Sequence, residues 1–249
     1  HAIQYTTREI DLAEQVSDLT GQVFGTKIQP RVKQERQWYQ VYLSATDHLT
    51  HGVRNPVASW LTGLGAFGLR SYEKRVPEAI FVQPSETIAV FLRHLWATDG
   101  CIRPPMNGRR HPAVYYATSS EGLARDVQSL LLRLGINAVL KSRDQGNKGR
   151  TQYHVLIMGR ADILAFADKV GAVGVYKTTA LALCREWCEN KVANTNRDVI
   201  PREVWRTLAV PAMQHNGVTT RQMQQALGMA YAGTGLYKQN IGRERAERL

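Results

Sequence analysis

Cysteine is scarce, with three in 249 residues, so no disulfide framework holds this chain and its stability must come from a packed core. No apolar run is long enough to span a bilayer and no signal peptide is visible, so a membrane partner is not expected and the cytoplasm is the expected location. Acidic residues are outnumbered: Asp plus Glu is 21 against 32 for Lys plus Arg, a formal net charge of +11. That balance points to a polyanionic partner while saying nothing about fold. Metal-binding Cys/His pairs are missing too. Cys184 and Cys188 sit four apart beside Trp187, but no second pair accompanies them, so they read as buried thiols. Apolar residues make up 43% of the chain, enough for one large or two ordinary domains.

The most informative stretch runs from Leu92 to Gly100. Phe91, Leu95 and Thr98 fall on one helical stripe, with Leu92 and Trp96 beside it. The helix is predicted to start near Ser85 and to break at Gly100. Asp99 is thereby fixed at the C-terminal tip, where the helix dipole disfavours an anion. A divalent cation would remove that penalty, because hard cations take oxygen ligands.

The chain also repeats itself. Leu12 to Leu19 matches Leu123 to Leu130 at an offset of 111, and Tyr5 and Thr7 meet Tyr116 and Thr118 at the same offset. Each copy continues into a basic strand and an aromatic strand: Lys27 to Lys33 and Trp38 to Leu43, then Asn137 to Arg143 and Tyr153 to Met158. A period this long implies two pseudo-symmetric halves rather than a solenoid. Capping boxes are predicted at Thr6 with Glu9 and at Thr118 with Glu121. Apolar stripes Leu12–Val16–Leu19–Val23 and Leu123–Val127–Leu130–Leu134 should pack on the sheets. At this offset the counterpart of Asp99 lies before His1, so a fragment, a processed product, or a chain with further sequence upstream is expected.

Charge arrangement adds to charge total. In a strand, Lys27, Gln29, Arg31 and Lys33 share one face while Ile28 and Val32 face the core. Lys141 and Arg143 repeat the pattern with Val139, and Ser142 is expected at the core margin. Such a ribbon can enter a major groove, where Arg, Lys and Gln read base edges. Pro30 implies an edge strand or an interrupted one. Arg103, Arg109 and Arg110, just beyond Asp99, suit phosphate contact. The tail from Asp198 changes character. Glu203 to Met213 reads as a helix broken by Pro211, and Thr219 to Gly228 as a capped short helix carrying Arg221, Gln222, Gln224 and Gln225. Short helices joined by Gly turns resemble a helix-turn-helix module with those side chains on its recognition surface.

Phe91 to Cys101 resembles the second LAGLIDADG motif of the dodecapeptide homing endonucleases embedded in inteins. Glu73 to Phe81 is similar to the Lys-x-Ile-Pro segment upstream of that motif. The resemblance spans roughly residues 1 to 200 and includes the duplication. The tail is also similar to that of inteins hosted by bacterial replicative DNA helicases. The resemblance implies an α+β fold of two pseudo-symmetric αββαββα halves, residues 1–85 and 86–197, forming a DNA-binding saddle, with a helical module at 198–249. It implies a monomer acting on double-stranded DNA with Mg²⁺. Asp99 and the backbone at Gly100 would hold the metal, Asp99 and Lys74 would be catalytic, and flanking splicing segments would be partners. With no leading Cys or Ser and no closing His-Asn pair, this chain alone is not expected to splice. Two departures stand out: Ala97 replaces an acid and His94 replaces a Gly. The second-copy counterpart of Lys74 is expected at Arg197 or Asp198. Two alternatives therefore stay open: a non-cleaving transcription regulator, or a decayed endonuclease that supports splicing.

Overall fold

Strands β1 (Gln4–Thr7), β2 (Ile28–Glu35) and β3 (Trp38–Ala45) pair antiparallel in the order β1-β3-β2. Alternation sends Ile28, Val41 and Leu43 into the core. Pro30 lies in β2, an edge strand, where a missing N–H is tolerated. Helix α1 (Ile10–Phe24) links β1 to β2. After β3 come α2 (Pro56–Gly63) and α3 (Glu78–Phe81); Asn55 caps α2 by accepting the Val57 N–H at 2.8 Å. A second run follows: α4 (Ser85–Asp99), β4 (Gly100–Arg103), β5 (Ala113–Thr118), α5 (Glu121–Arg133), β6 (Ala138–Arg143), β7 (Gln152–Ile157), α6 (Arg160–Lys169) and α7 (Val175–Glu189). Its strands pair antiparallel in the order β4-β5-β7-β6. The fold is therefore α+β, with two antiparallel sheets flanked by helices. These features belong to a computed structural model that describes residues 3–106, 111–190 and 199–247.

The duplication is present in three dimensions. The run β1-α1-β2-β3 with sheet order β1-β3-β2 is repeated by β5-α5-β6-β7 with order β5-β7-β6. The second run shows the expected αββαββα sequence and adds α7. The first shows strand, helix, two strands and then α2 and α3. One apolar cluster forms around Ala13, Ile28, Val41 and Val57, and a larger one around Leu92, Trp96, Val127, Leu130 and Phe166.

Several local expectations are corrected. The buried stripe of α4 is Ile88–Leu92–Trp96 with Ala89; Phe91 and Leu95 are half-buried and Thr98 is exposed. All four stripe positions of α5 are buried, but in α1 Leu19 and Val23 are exposed, at 39% and 64%. A three-stranded sheet offers α1 less cover than the four-stranded sheet offers α5. Neither capping box forms as predicted. Thr7 accepts the Glu9 N–H at 3.2 Å, and Ser120, not Thr118, caps α5 by accepting the Leu123 N–H at 3.1 Å. Val32 is open to solvent because β2 is an edge strand, and Ser142 is exposed at the hairpin end of β6. Cys184 and Cys188 are buried thiols, as expected, and burial pushes Cys184 up to about 12.

The chain divides into two compact units, His1–Lys191 and Val192–Leu249. In the second, β8 (Val199–Ile200) pairs with β9 (Ile241–Gly242). Pro211 does not break the preceding helix. A π-helical turn, Trp205–Ala209, widens the spiral so that the Val210 N–H reaches the Trp205 carbonyl, and α8 (Val210–His215) continues. Helix α9 (Thr220–Ala226) begins with a capping box between Thr219 and Gln222, and α10 (Arg243–Ala246) closes the unit. Trp205 is the centre of its core and donates to the Gln239 carbonyl at 3.0 Å. Among the described residues no helix is long and apolar enough to cross a membrane.

Candidate active site and nucleic-acid face

Helix α4 ends where the sequence says it should, and packing explains why. Trp96 is fully buried, with ring centroids 5.5 Å from Tyr116 and 5.0 Å from Phe166. That anchor fixes the last turn. The chain then passes directly into β4, so close to Trp96 that a Cβ on Gly100 would lie 2.6 Å from the Trp96 Cα. Only glycine permits the turn, and Asp99 is held exposed at the tip. Burial, and then the Asp99 charge, push the neighbouring Tyr116 hydroxyl well above the usual phenol range.

The residue that reasoning from sequence missed is Lys177. It lies in α7, buried, and its ammonium donates to the carbonyls of Trp96 at 2.6 Å, Ala97 at 2.8 Å and Thr98 at 3.2 Å. These are orphan acceptors of the last turn of α4, so a cation covers the negative helix end. Burial pulls the ammonium below the ordinary lysine value, opposed by Glu9, Asp99 and Cys101. The dipole penalty on Asp99 is thus already eased by protein, where the sequence suggested a metal alone. No spacing rule places Lys177 here, since it arrives from a helix 78 positions along the chain from Asp99. Arg197 and Asp198, expected to match Lys74, lie outside the described residues.

Among the described residues no hydrogen bond or ion pair occupies the Asp99 carboxylate, and no group of three His, Cys, Asp or Glu side chains forms a metal cage. A single free carboxylate fits Mg²⁺ in the way that ion is usually held, by one or two carboxylates with substrate phosphates and water. Lys74 is exposed, its carbonyl bound by the Ser120 hydroxyl at 2.7 Å, and its ammonium makes no bond to Asp99. Ala97 is buried, so its departure from the acid of the motif places a methyl in a packed environment. His94 is half-buried, and burial and then Arg93 lower its pKa.

The basic strands occupy matching places. β2 and β6 are both edge strands, each paired to the last strand of its copy. Lys27, Gln29, Arg31 and Lys33 are all exposed; Lys27 lies in the turn before β2. Arg31 opposes Tyr42 and Lys33 opposes Gln40, so Gln40 and Tyr42 join the polar face, which the sequence reading omitted. Lys33 also meets Glu35 at 3.0 Å, an exposed pair of little energetic weight. In the second sheet, register places Arg103, Tyr115, His154, Lys141 and Arg143 on one face. There Arg103 donates to the Tyr115 hydroxyl at 2.9 Å, and Tyr115 stacks on His154 with centroids 5.2 Å apart. Arg109 and Arg110 lie outside the described residues.

In the second unit, Gln222 is engaged in the capping box and Gln224 is fully buried, bonded to Gly233 and Ala232. These two are structural rather than free to read bases. Arg221 and Gln225 are exposed, the former with its guanidinium 4.9 Å from the Tyr231 ring.

Comparison with known proteins gives the motif its family. Residues 86–171, from the start of α4 to the end of α6, match the LAGLIDADG-like domain family. The chain carries a LAGLIDADG-like domain. It is also homologous to a segment of the replicative DNA helicase DnaB of Nostoc sp., 58% identical over 246 residues. That match covers 99% of this chain and 28% of the relative, so the chain spans little over a quarter of that helicase. A DNA gyrase subunit of Mycobacterium gordonae is 38% identical over 115 residues, 45% of this chain and 20% of that protein. Among solved structures, I-DmoI in complex with DNA and Mn aligns with a TM-score of 0.49 and 12% identity, covering 70% of this chain and 82% of that one. In the LAGLIDADG-like domain, Asp99 and Gly100 are thus the last helical and first strand residues of the segment that opens it.

Proposed function

We propose that this chain is the DNA-cleaving region of a homing endonuclease embedded in a helicase intein, a site-specific nuclease that hydrolyses one phosphodiester in each strand of double-stranded DNA. The observation that carries the reading is the free Asp99 carboxylate at a rigid helix tip beside the buried Lys177 ammonium. Similarity of one stretch to segments of both a helicase and a gyrase supports an inserted element rather than a helicase function.

Asp99, with the backbone at Gly100, would hold Mg²⁺ against a DNA phosphate. When bound, the ion would supply a nucleophilic water and stabilise the leaving oxygen. Lys177 keeps the end of α4 positively balanced, so that a phosphate can approach without facing bare carbonyls. Lys74 would orient or polarise the scissile phosphate. The faces of β2 and β6 would read the major groove, and Arg103, Arg221 and Gln225 would add contacts to the backbone. The two sheets would act together as a DNA-binding saddle.

The test is incubation of the chain, alone and within a DnaB-length polypeptide, with Mg²⁺ and a plasmid bearing the uninterrupted helicase gene. Linear product is expected from the DnaB-length polypeptide, and at most a nick in one strand from the chain with its Asp99 centre. Plasmid that stays intact while still bound would instead fit a non-cleaving regulator. For the ribbon, Lys27→Ala, Arg31→Ala, Lys141→Ala and Arg143→Ala are each expected to weaken binding and to flatten the slope of log K against log salt by about 0.9, the value for one phosphate contact. An unaltered slope would remove that residue from the backbone interface.

A further inference from the structure

The backbone beside each of the two lysines is contacted by the start of a helix from the other copy of the repeat. Lys177 sits in α7, whose first turn rests on the N-terminus of α1. There the Val175 N–H donates to Asp11 Oδ2 at 2.7 Å. Gly174, at φ +84°, passes so near that a Cβ would stand 2.8 Å from Glu9 Oε2. Lys74 is held in the corresponding way by α5. Its carbonyl accepts from Ser120 Oγ at 2.7 Å, and the Val76 N–H donates to Asp126 Oδ2 at 3.1 Å. Between them, Arg75 forks onto Asp126, with Nε to Oδ2 and Nη2 to Oδ1 both at 2.7 Å. The offset of 111 equates Glu9 with Ser120 and Asp11 with Gly122, so equivalent helix starts do the gripping.

We infer that Ser120, Gly122 and Asp126 are positioning residues: they clamp the backbone around Arg75 and so fix where Lys74 stands. The inference rests on the reading of Lys74 as part of the cleavage centre. Three features separate a clamp from an ordinary surface ion pair. Asp126 is buried and uses both oxygens, one of them on a backbone amide. Contacts bracket the segment, at the carbonyl of residue 74 and the amide of residue 76. Gly122 leaves a channel for Arg75, since a Cβ there would lie 2.5 Å from its Cδ and 2.9 Å from its Nε. Glycine inside a helix is otherwise a poor choice, so its place here serves the arginine.

Two substitutions test this, Gly122→Ala and Asp126→Asn, in the full chain and in the DnaB-length polypeptide. Gly122→Ala gains helix propensity, which offsets part of the weakened Arg75–Asp126 pair, so the variant should stay folded. In both variants, hydrogen exchange at the Val76 amide should accelerate at least about tenfold, because its acceptor is displaced or weakened. Cleavage should slow at least about tenfold with DNA affinity within about twofold, and neither variant should slow cleavage further in a Lys74→Ala background. Unaltered Val76 exchange, or losses that multiply with Lys74→Ala, would overturn the clamp. If Lys74→Ala cleaves like the native chain, the catalytic reading of Lys74 falls instead, and Val76 exchange by itself decides whether the clamp exists.

Discussion

Asp99→Asn is expected to abolish cleavage while leaving target binding within a few fold. The substitution keeps size and polarity at an exposed helix tip, so neither packing around Trp96 nor the turn at Gly100 is disturbed. What disappears is the charge that would hold a divalent cation against phosphate. Metal stabilisation of transition-state charge is worth several kcal/mol, and each 1.36 kcal/mol is a factor of ten. Losing about 4 kcal/mol therefore slows strand hydrolysis by roughly a thousandfold. Single-turnover cleavage and a parallel gel-shift titration separate the two effects. Cleavage at the native rate would mean that the carboxylate does not serve the chemistry. A proportional loss of binding would mean that it serves affinity instead.

Lys177→Met should be the most damaging single change outside the apolar core. Methionine preserves most of the stem volume but withdraws three donors from the carbonyls of Trp96, Ala97 and Thr98. Leaving buried acceptors unmatched costs about 1–3 kcal/mol, and loss of a cation at a helix C-terminus adds up to about 2 kcal/mol in partly buried geometry. A loss near 3 kcal/mol in denaturant unfolding is expected. Restoring fold with a low temperature should not restore cleavage, because Asp99 would then stand at an uncompensated negative helix end. Unchanged unfolding free energy would show that water replaces the ammonium at no cost. Native cleavage in the folded variant would leave Lys177 a purely structural cap.

Much of the motif helix was legible in the sequence. Apolar spacing and the Asp99-Gly100 pair located its end, because a helix must stop where a glycine enters an extended strand. The repeat was legible for the same reason: matching side chains at one offset build matching elements, and β1-α1-β2-β3 does return as β5-α5-β6-β7. Which stripe was buried was less legible. Leu19 and Val23 obey the helical period as well as Leu130 and Leu134 do, yet only the latter pair has enough sheet beneath it. Gln224 looked like a reader of bases and proved to be a buried staple, since its hydrogen-bond partners, Gly233 and Ala232, lie at the start of a 3-10 helix whose position no local pattern describes.

The amino-acid sequence by itself determined the repeat, the positive charge, the basic strands and the acid at the tip of α4. These follow from composition, periodicity and offset, which are properties of neighbours along the chain. Only the tertiary structure decided that Lys177 covers that tip and that Ser120 and Asp126 hold the segment bearing Lys74. Those contacts join residues 46 to 81 positions apart, and the separation of such partners along a chain carries no period to read. They exist because the chain packs the end of α4 against α7, and the start of α5 against the segment around residue 75.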